Sequence, residues 1–195
     1  SSVVKRLNLK NNYINLSQVA SDDNFQQKEK SHKFTIISVG RFVQLKGFDI
    51  TISSFERFYN NLEEKDKDKV ELLVIGKGPL KSYLKSISKE FNCLSSIKFI
   101  EWVSKEELDN FYSKSDLYLF PSYEGAGMVV AEALSFGLPV ICFDSGGVRF
   151  TFEHNKSGFL ILDNKLFSSK VSSLCSTRIP HSLPASTFPT SFCPS

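Results

Sequence analysis

Two glutamates flank a glycine-bearing turn in the stretch from 121 to 147. Glu124 lies in the turn, and Glu132 lies eight positions later, inside a helical pattern that stops at Gly137. A carboxylate accepts hydrogen bonds from hydroxyl groups, which sugars present in pairs. Acidic side chains are also favoured near helix starts, where they interact with the helix dipole. Spacing alone therefore leaves two interpretations open. Both glutamates bind hydroxyl groups, or Glu124 caps the helix dipole and Glu132 is a solvated helix residue.

Two cations follow an earlier apolar run. The run from 34 to 40 ends in glycine and predicts a buried strand, after which Arg41 and Lys46 appear. Arginine offers a planar fork to phosphate oxygens, and lysine offers a compact point charge. The alternative interpretation is that both are ordinary loop cations.

The elements that must position these residues alternate along the chain. Predicted strands cover 34–40, 70–76, 97–100, 116–120, 140–144 and 158–162, and helical patterns separate most of them. This alternation predicts a doubly wound, Rossmann-like parallel sheet with helices on both faces. Such sheets bind ligands outside the carboxyl ends of their strands, where a helix N-terminus also suits a phosphate. We therefore expect the cations and the glutamates to meet at one edge.

The same residues resemble a known family. The stretch from 121 to 147 is similar to the donor-binding segment of family 4 (group 1) glycosyltransferases, a retaining group with the GT-B fold. The E-G-x-G motif with a second glutamate is present as Glu124, Gly125, Gly127 and Glu132. The family's Gly-Arg-x-x-x-x-Lys-Gly is present as Gly40, Arg41, Lys46 and Gly47.

The resemblance implies a function and a set of roles. The chain would bind the donor for transfer of a glycosyl group from a nucleoside-diphosphate sugar to an acceptor, with retention. The implied catalytic residues are Arg41 and Lys46, which would hold the diphosphate, and Glu124, which would hold the sugar. The implied donor-binding residues are Gly40, Gly125, Ala126, Gly127, Met128, Val129 and Glu132, the last on the ribose hydroxyls. The resemblance implies no metal and no other cofactor.

Two departures from the family pattern stand out. After the third strand the family usually has a glycine, in a loop that holds the nucleotide base mostly by its backbone. Here that loop has Glu101 and Trp102. Beyond Gly147 the family commonly has Pro-Glu, whereas alignment through the last strand places Arg149 and Phe150 there. The first departure affects the expected base pocket, and the second affects the crevice.

The expected organisation has three parts. Residues 1–33 are expected to connect to an N-terminal domain that supplies the acceptor site, and residues 34–167 to form the nucleotide-sugar domain. The Ser, Thr and Pro content of 168–195 predicts a disordered, low-complexity tail. The resemblance covers about 34–163, so the chain is expected to be a fragment that does not transfer sugar by itself.

Composition excludes several classes. The chain has 195 residues and a formal charge of +3, too small to indicate nucleic-acid binding. No apolar run approaches the ~20 residues of a membrane span. Four scattered cysteines show no C-x-x-C spacing, and Cys142 is interpreted as a core residue. The expectation is a cytoplasmic protein, with peripheral association of the full enzyme with a membrane left open.

Other functions stay open. The chain could be a nucleotide-sugar binding module without catalysis, or part of a nucleotide-sugar epimerase with the GT-B fold. Asp66-Lys67-Asp68 has the D-x-D form that binds a metal in GT-A glycosyltransferases. Its highly charged setting favours a solvated turn instead.

Overall fold

The computed structural model describes residues 33–123 and 127–176 of the chain. Within these ranges, six strands form one parallel sheet in the order β3-β2-β1-β4-β5-β6. Their bounds are β1 Phe34–Val39, β2 Val70–Ile75, β3 Ile97–Ile100, β4 Leu117–Phe120, β5 Val140–Phe143 and β6 Gly158–Ile161. This arrangement confirms the predicted α/β, Rossmann-like fold, with strand bounds that differ by at most one residue.

In the part of the chain that the structure describes, five α-helices cover the two faces of the sheet. They are α1 Phe48–Asn60, α2 Lys81–Lys89, α3 Lys105–Lys114, α4 Met128–Ser135 and α5 Asn164–Ser176. Apolar residues of α1, α2 and α5 share one core with the sheet, and those of α3 and α4 share the other. A capping box begins α3, because the Ser104 hydroxyl accepts from the Glu107 amide and the Glu107 carboxylate accepts from the Ser104 amide. Cys142 is fully buried, which confirms that it is a core residue.

The strand order reverses its direction between β1 and β4. Chain order runs outward from β1 through β2 to β3, and then resumes on the other side with β4. The loops that leave β1 and β4 therefore diverge to opposite sides of the sheet and open a crevice at its carboxyl edge. This switch point is where a ligand of such a sheet is expected to bind.

Helix α5 corrects one expectation. Phe167, Val171 and Cys175 recur every four residues and are fully buried, and the hydroxyls of Ser54 and Ser168 lie 2.8 Å apart. The prediction that regular structure ends near residue 168 was therefore wrong for 168–176. Three apolar residues at helical spacing are enough to pack against α1, although serines lie between them. The predicted connector, 1–32, and the rest of the tail, 177–195, lie outside the described residues.

The charged D-x-D segment folds as a short 3-10 helix, Glu64–Lys69, before β2. Asp66 forms an ion pair with Lys69 at 2.9 Å, within the same turn. The segment is therefore charged and locally paired, but Asp66 is buried, so the expectation of a solvated turn was wrong for that residue. Among the helices of the described residues, none has the length and apolar character needed to cross a membrane.

Candidate functional site

The turns that follow β1 and β2 interlock at the carboxyl edge. The Phe42 amide donates to the Lys77 carbonyl at 2.9 Å, and the Leu80 amide donates to the Phe42 carbonyl at 3.1 Å. A Cβ added to Gly76 would lie 1.8 Å from the Gly40 carbonyl oxygen, so no side chain fits at Gly76. Backbone contact therefore fixes the turn that carries Arg41.

Arg41 directly follows the Gly40 position at the end of β1, and its side chain is exposed. Within residues 33–123 and 127–176, Arg41 takes part in no ion pair with an acidic side chain. A guanidinium that is not neutralised by these acids can bind two oxygens of a phosphate at once.

Lys46 extends from the β1 loop toward β4. It ends the 3-10 helix Gln44–Lys46, and its Nζ lies 5.2 Å from the centre of the Phe120 ring, at the end of β4. The next residue, Gly47, has φ of 62°, and a Cβ there would lie 2.1 Å from the Pro121 carbonyl oxygen. The loop is thus held against β4 with the ammonium group at the switch point.

Hydrogen bonds join the loops on the two sides of the crevice. The Leu45 carbonyl accepts from the Ser122 hydroxyl at 3.1 Å and from the Tyr123 amide at 3.2 Å. The Ser145 hydroxyl, after β5, donates to the Ser122 carbonyl at 2.9 Å. Three consecutive loops therefore form one connected rim, which keeps Lys46 in place.

Helix α4 begins at the same rim. Its N-cap, Gly127, has φ of 59°, and its carbonyl accepts from the amides of Val130 and Ala131 at 2.9 and 3.0 Å. Met128 and Val129 precede Val130 in the first turn, and the helix itself provides no acceptor for their amides. These two amides and the positive end of the helix dipole provide the elements of an anion site.

Glu132 lies one turn into α4, partly buried, above two buried tyrosines. Burial raises the pKa of Tyr112 and Tyr118 well above the ordinary value, and the negative charge of Glu132 raises both further. The Tyr118 hydroxyl donates to the Val39 carbonyl at 3.2 Å, at the end of β1. The Glu132 carboxylate is therefore close enough to interact electrostatically with both tyrosines.

The structure brings most of the predicted site residues to the switch point. Gly40, Arg41 and Lys46 lie in the loop after β1, and Gly127, Met128, Val129 and Glu132 lie at the start of α4. Glu124, Gly125 and Ala126 lie outside the described residues, so the predicted sugar-binding glutamate has no observed position. The described residues on both sides of this gap flank the crevice.

The departures from the family pattern have clear positions. Arg149 forms a two-bond ion pair with Asp144, each bond 2.9 Å long, and these bonds raise the pKa of Arg149. Phe150 is exposed at the end of the 3-10 helix Gly146–Phe150. The Arg149 guanidinium therefore neutralises the Asp144 carboxylate, which directly follows β5 beside the crevice.

Sequence analysis did not single out Lys77. It is exposed in the turn after β2, and its carbonyl holds the Arg41 turn through Phe42. A lysine between two glycines directly after a strand is the signal that could have identified it. Lys77 is therefore a further cation at the carboxyl edge, in the turn after β2.

The comparisons with known proteins agree with this geometry. The model of the family "Glycosyl transferases group 1" matches residues 19–182, which extends beyond the resemblance noted at 34–163 on both sides. The chain belongs to this family. It is 32% identical over 157 residues to an uncharacterized glycosyltransferase of Haemophilus influenzae. That alignment covers 78% of this chain and 42% of the relative, so the chain spans less than half the length of that protein.

Solved structures of glycosyltransferases share the fold. The pneumococcal O-GlcNAc transferase GtfA, solved with UDP and GlcNAc, gives a TM-score of 0.64 at 22% identity, over 78% of this chain and 32% of that one. The C-terminal domain of the group 1 protein LpcC from Francisella tularensis gives 0.66 at 21% identity, over 80% and 82%. The chain is therefore similar to one domain of these GT-B enzymes.

Proposed function

We propose that this group 1 chain binds a nucleoside-diphosphate sugar and serves as the donor half of a retaining glycosyltransferase. The observation that carries the proposal is the convergence of three positive elements at the switch point. They are the Arg41 guanidinium, the Lys46 ammonium beside Phe120, and the N-terminus of α4. A diphosphate is the group that matches this charge and this set of donors. The UDP in GtfA is a ligand of the same chemical class.

Each residue has a role in the proposed transfer. Arg41 and Lys46 bind the diphosphate and offset the negative charge that grows on it as the glycosidic bond breaks. The amides of Met128 and Val129 assist from the helix start, where fixed dipoles stabilise developing charge without reorganising. Glu132 accepts hydrogen bonds from the ribose hydroxyls, and Glu124 from the sugar. The charge is balanced by side chains and amides, and no metal is part of the proposal.

The acceptor is assigned to another part of the enzyme. The chain aligns with 42% of the Haemophilus relative, and the reaction of a GT-B enzyme takes place between two domains. Orienting donor and acceptor together can contribute ~7–11 kcal/mol of barrier lowering. We therefore propose that this chain binds the donor but does not transfer sugar without its other half.

Calorimetry with uridine and guanosine diphosphates tests the donor site. The proposal expects saturable binding to the wild-type chain at millimolar or lower ligand, and weaker binding to the Arg41→Ala variant. The Lys98→Ala variant, altered at the far end of the sheet, is the matched control and should bind like wild type. No heat from either nucleotide would reject the proposed donor site.

An assay for released nucleoside diphosphate tests the half-enzyme assignment. With a panel of sugar acceptors, the chain alone should show no turnover although it binds the donor. Turnover at the ~1 s⁻¹ or more that is typical of enzymes would show that the chain is a complete catalyst.

A further inference from the structure

Phe120, the last residue of β4, presents its aromatic ring to the Lys46 side chain. The Lys46 Nζ lies 5.2 Å from the centre of this ring, within the ~6 Å over which a ring face attracts a cation. Phe120 is buried and Lys46 is half-buried, and such an attraction is stronger where water is partly excluded. The ring face is therefore a candidate for holding the ammonium group in a defined position.

The Phe120 ring is itself fixed by a line of packed aromatic residues. It stacks on the Tyr118 ring, with centroids 6.2 Å apart and an interplanar angle of 19°. Tyr118 packs edge-on against Tyr112 at 6.0 Å, and Tyr112 stacks on Phe136, at the end of α4, at 5.6 Å. The Tyr118 hydroxyl also donates to the Val39 carbonyl at 3.2 Å. The ring that faces Lys46 is therefore a rigid surface, held between β1 and α4.

A rigid aromatic surface changes what it costs Lys46 to bind a phosphate. The Lys46 backbone is already fixed by the approach of Gly47 to Pro121 and by the hydrogen bonds to the Leu45 carbonyl. The long side chain is the remaining source of freedom, and ordering such a side chain at binding lowers affinity about two- to tenfold. An ammonium group that is already held over a ring avoids most of this loss.

We propose that Phe120 is a positioning residue for the diphosphate site, because its ring face holds the Lys46 ammonium at the switch point before the ligand binds. This inference rests on the proposed donor function and assigns a role to a residue outside the glycine and glutamate motifs. Phe120 acts through Lys46 on the diphosphate, so its effect is the same for every base and for pyrophosphate. If Lys46 instead had to leave the ring to reach the phosphates, the ring would compete with the ligand.

Calorimetry with inorganic pyrophosphate and with uridine diphosphate distinguishes these two cases. Phe120→Leu removes the ring face and keeps an apolar side chain, and it should weaken the binding of both ligands about two- to tenfold. In a chain that already carries Lys46→Ala, Phe120→Leu should cause no further loss, because the cation that the ring positions is absent.

The amino edge offers a matched control. The Tyr59 ring is also buried, and the Lys67 Nζ lies 5.5 Å from its centre, in the turn before β2. Tyr59→Leu therefore removes a similar ring from beneath a lysine outside the proposed site. It should bind both ligands like wild type.

Nuclear magnetic resonance of the wild-type chain gives a second readout that does not depend on the folding of any variant. The ring current of Phe120 should shift the Lys46 Hε resonances upfield in the ligand-free chain. The shift should persist at saturating pyrophosphate, because the ammonium group binds the ligand without leaving the ring.

The outcomes separate the positioning role from the donor function. Unchanged or tighter binding in Phe120→Leu, an equal loss in the Lys46→Ala background, or the absence of an upfield shift would overturn the inference and leave the donor function intact. No calorimetric binding of uridine diphosphate to the wild-type chain would overturn both.

Discussion

The two edges of the sheet use polar groups in opposite ways. At the amino edge, the Thr35 amide donates to the Asp116 carboxylate at 2.9 Å, and the Asp116 amide donates to the Thr35 carbonyl at 2.8 Å. The Thr35 hydroxyl donates to Glu71, whose other oxygen pairs with Lys98 at 2.6 Å. The polar groups of this edge bind one another and tie β1, β2, β3 and β4 together.

The polar groups of the carboxyl edge are arranged differently. Its loops are held by backbone contacts at glycines. Ion pairs occur here too, Arg149 with Asp144 after β5 and Lys81 with Glu101 after β3, but the exposed Arg41 lies beside the crevice. Arg41 has no acidic partner among the described residues, and Lys46 lies over the Phe120 ring. Polar groups at the amino edge thus stabilise the fold, whereas the carboxyl edge also carries the cations that we propose bind an anionic ligand.

The largest expected effect follows from substitution of glycines at the two edges. Gly47→Ala places a Cβ 2.1 Å from the Pro121 oxygen at a positive φ, and we expect it to lower the free energy of unfolding by about 3 kcal/mol or more. Gly158→Ala, at the start of β6, places a Cβ 2.3 Å from the Val140 oxygen and should also destabilise. Urea unfolding measures both effects.

Binding should separate these two variants. Calorimetry on their folded fractions should show weakened nucleotide affinity for Gly47→Ala, because the Lys46 loop shifts, and wild-type affinity for Gly158→Ala. Equal affinities in the two variants would show that the Gly47 contact is structural only.

Arg41→Ala should affect binding without affecting stability. Loss of charged hydrogen bonds to phosphate is expected to cost ~1.5–3 kcal/mol, or about 10- to 150-fold in affinity for a nucleoside diphosphate. Its stability to urea should stay within about 0.5 kcal/mol of wild type, because the side chain is exposed. Lys98→Ala, which removes the ion pair with Glu71, should bind normally. A normal affinity in Arg41→Ala would remove that residue from the site.

The two glutamates should differ with a free diphosphate. Glu132→Ala should weaken binding of uridine diphosphate by about tenfold, the lower end of the range for a charged hydrogen bond. Glu124→Ala should leave the same affinity unchanged, because its proposed partner is the sugar. Calorimetry with uridine diphosphate and then with a uridine diphosphate sugar separates the roles. Equal losses for the free diphosphate would contradict this division.

The smallest effect is expected from Asp116→Asn at the amino edge. An amide oxygen can still accept from the Thr35 amide, but a neutral acceptor is weaker than a carboxylate. Unfolding should therefore cost about 1 kcal/mol less than in wild type, with unchanged nucleotide affinity. A change in nucleotide affinity in Asp116→Asn would contradict the proposal that the ligand binds at the carboxyl edge alone.

The sequence predicted the parts of the fold that depend on local patterns. Apolar runs identified the six strands of the described residues. Helix α5 was not predicted beyond residue 167, because its serine-rich composition outweighed three apolar residues at helical spacing. The strand order depends on long-range pairing, so no local pattern specified it.

The sequence likewise indicated only part of the candidate site. Motif residues such as Arg41 and Lys46 were located, because their spacing is local. The contact of Gly76 with the Gly40 carbonyl and the buried Tyr112 and Tyr118 beneath Glu132 were not. These features join segments far apart in sequence, and only the folded arrangement brings them together.

Hydrogen exchange with and without uridine diphosphate tests most directly the claim that the carboxyl edge is the donor site. At saturating ligand, protection should increase in 40–47, in 76–80 and in the amides of Met128 and Val129. Segments 33–35 and 114–117 at the amino edge should exchange at unchanged rates, because their hydrogen bonds do not involve the ligand. Protection confined to the amino edge, or calorimetric saturation without protection at the carboxyl edge, would contradict the account.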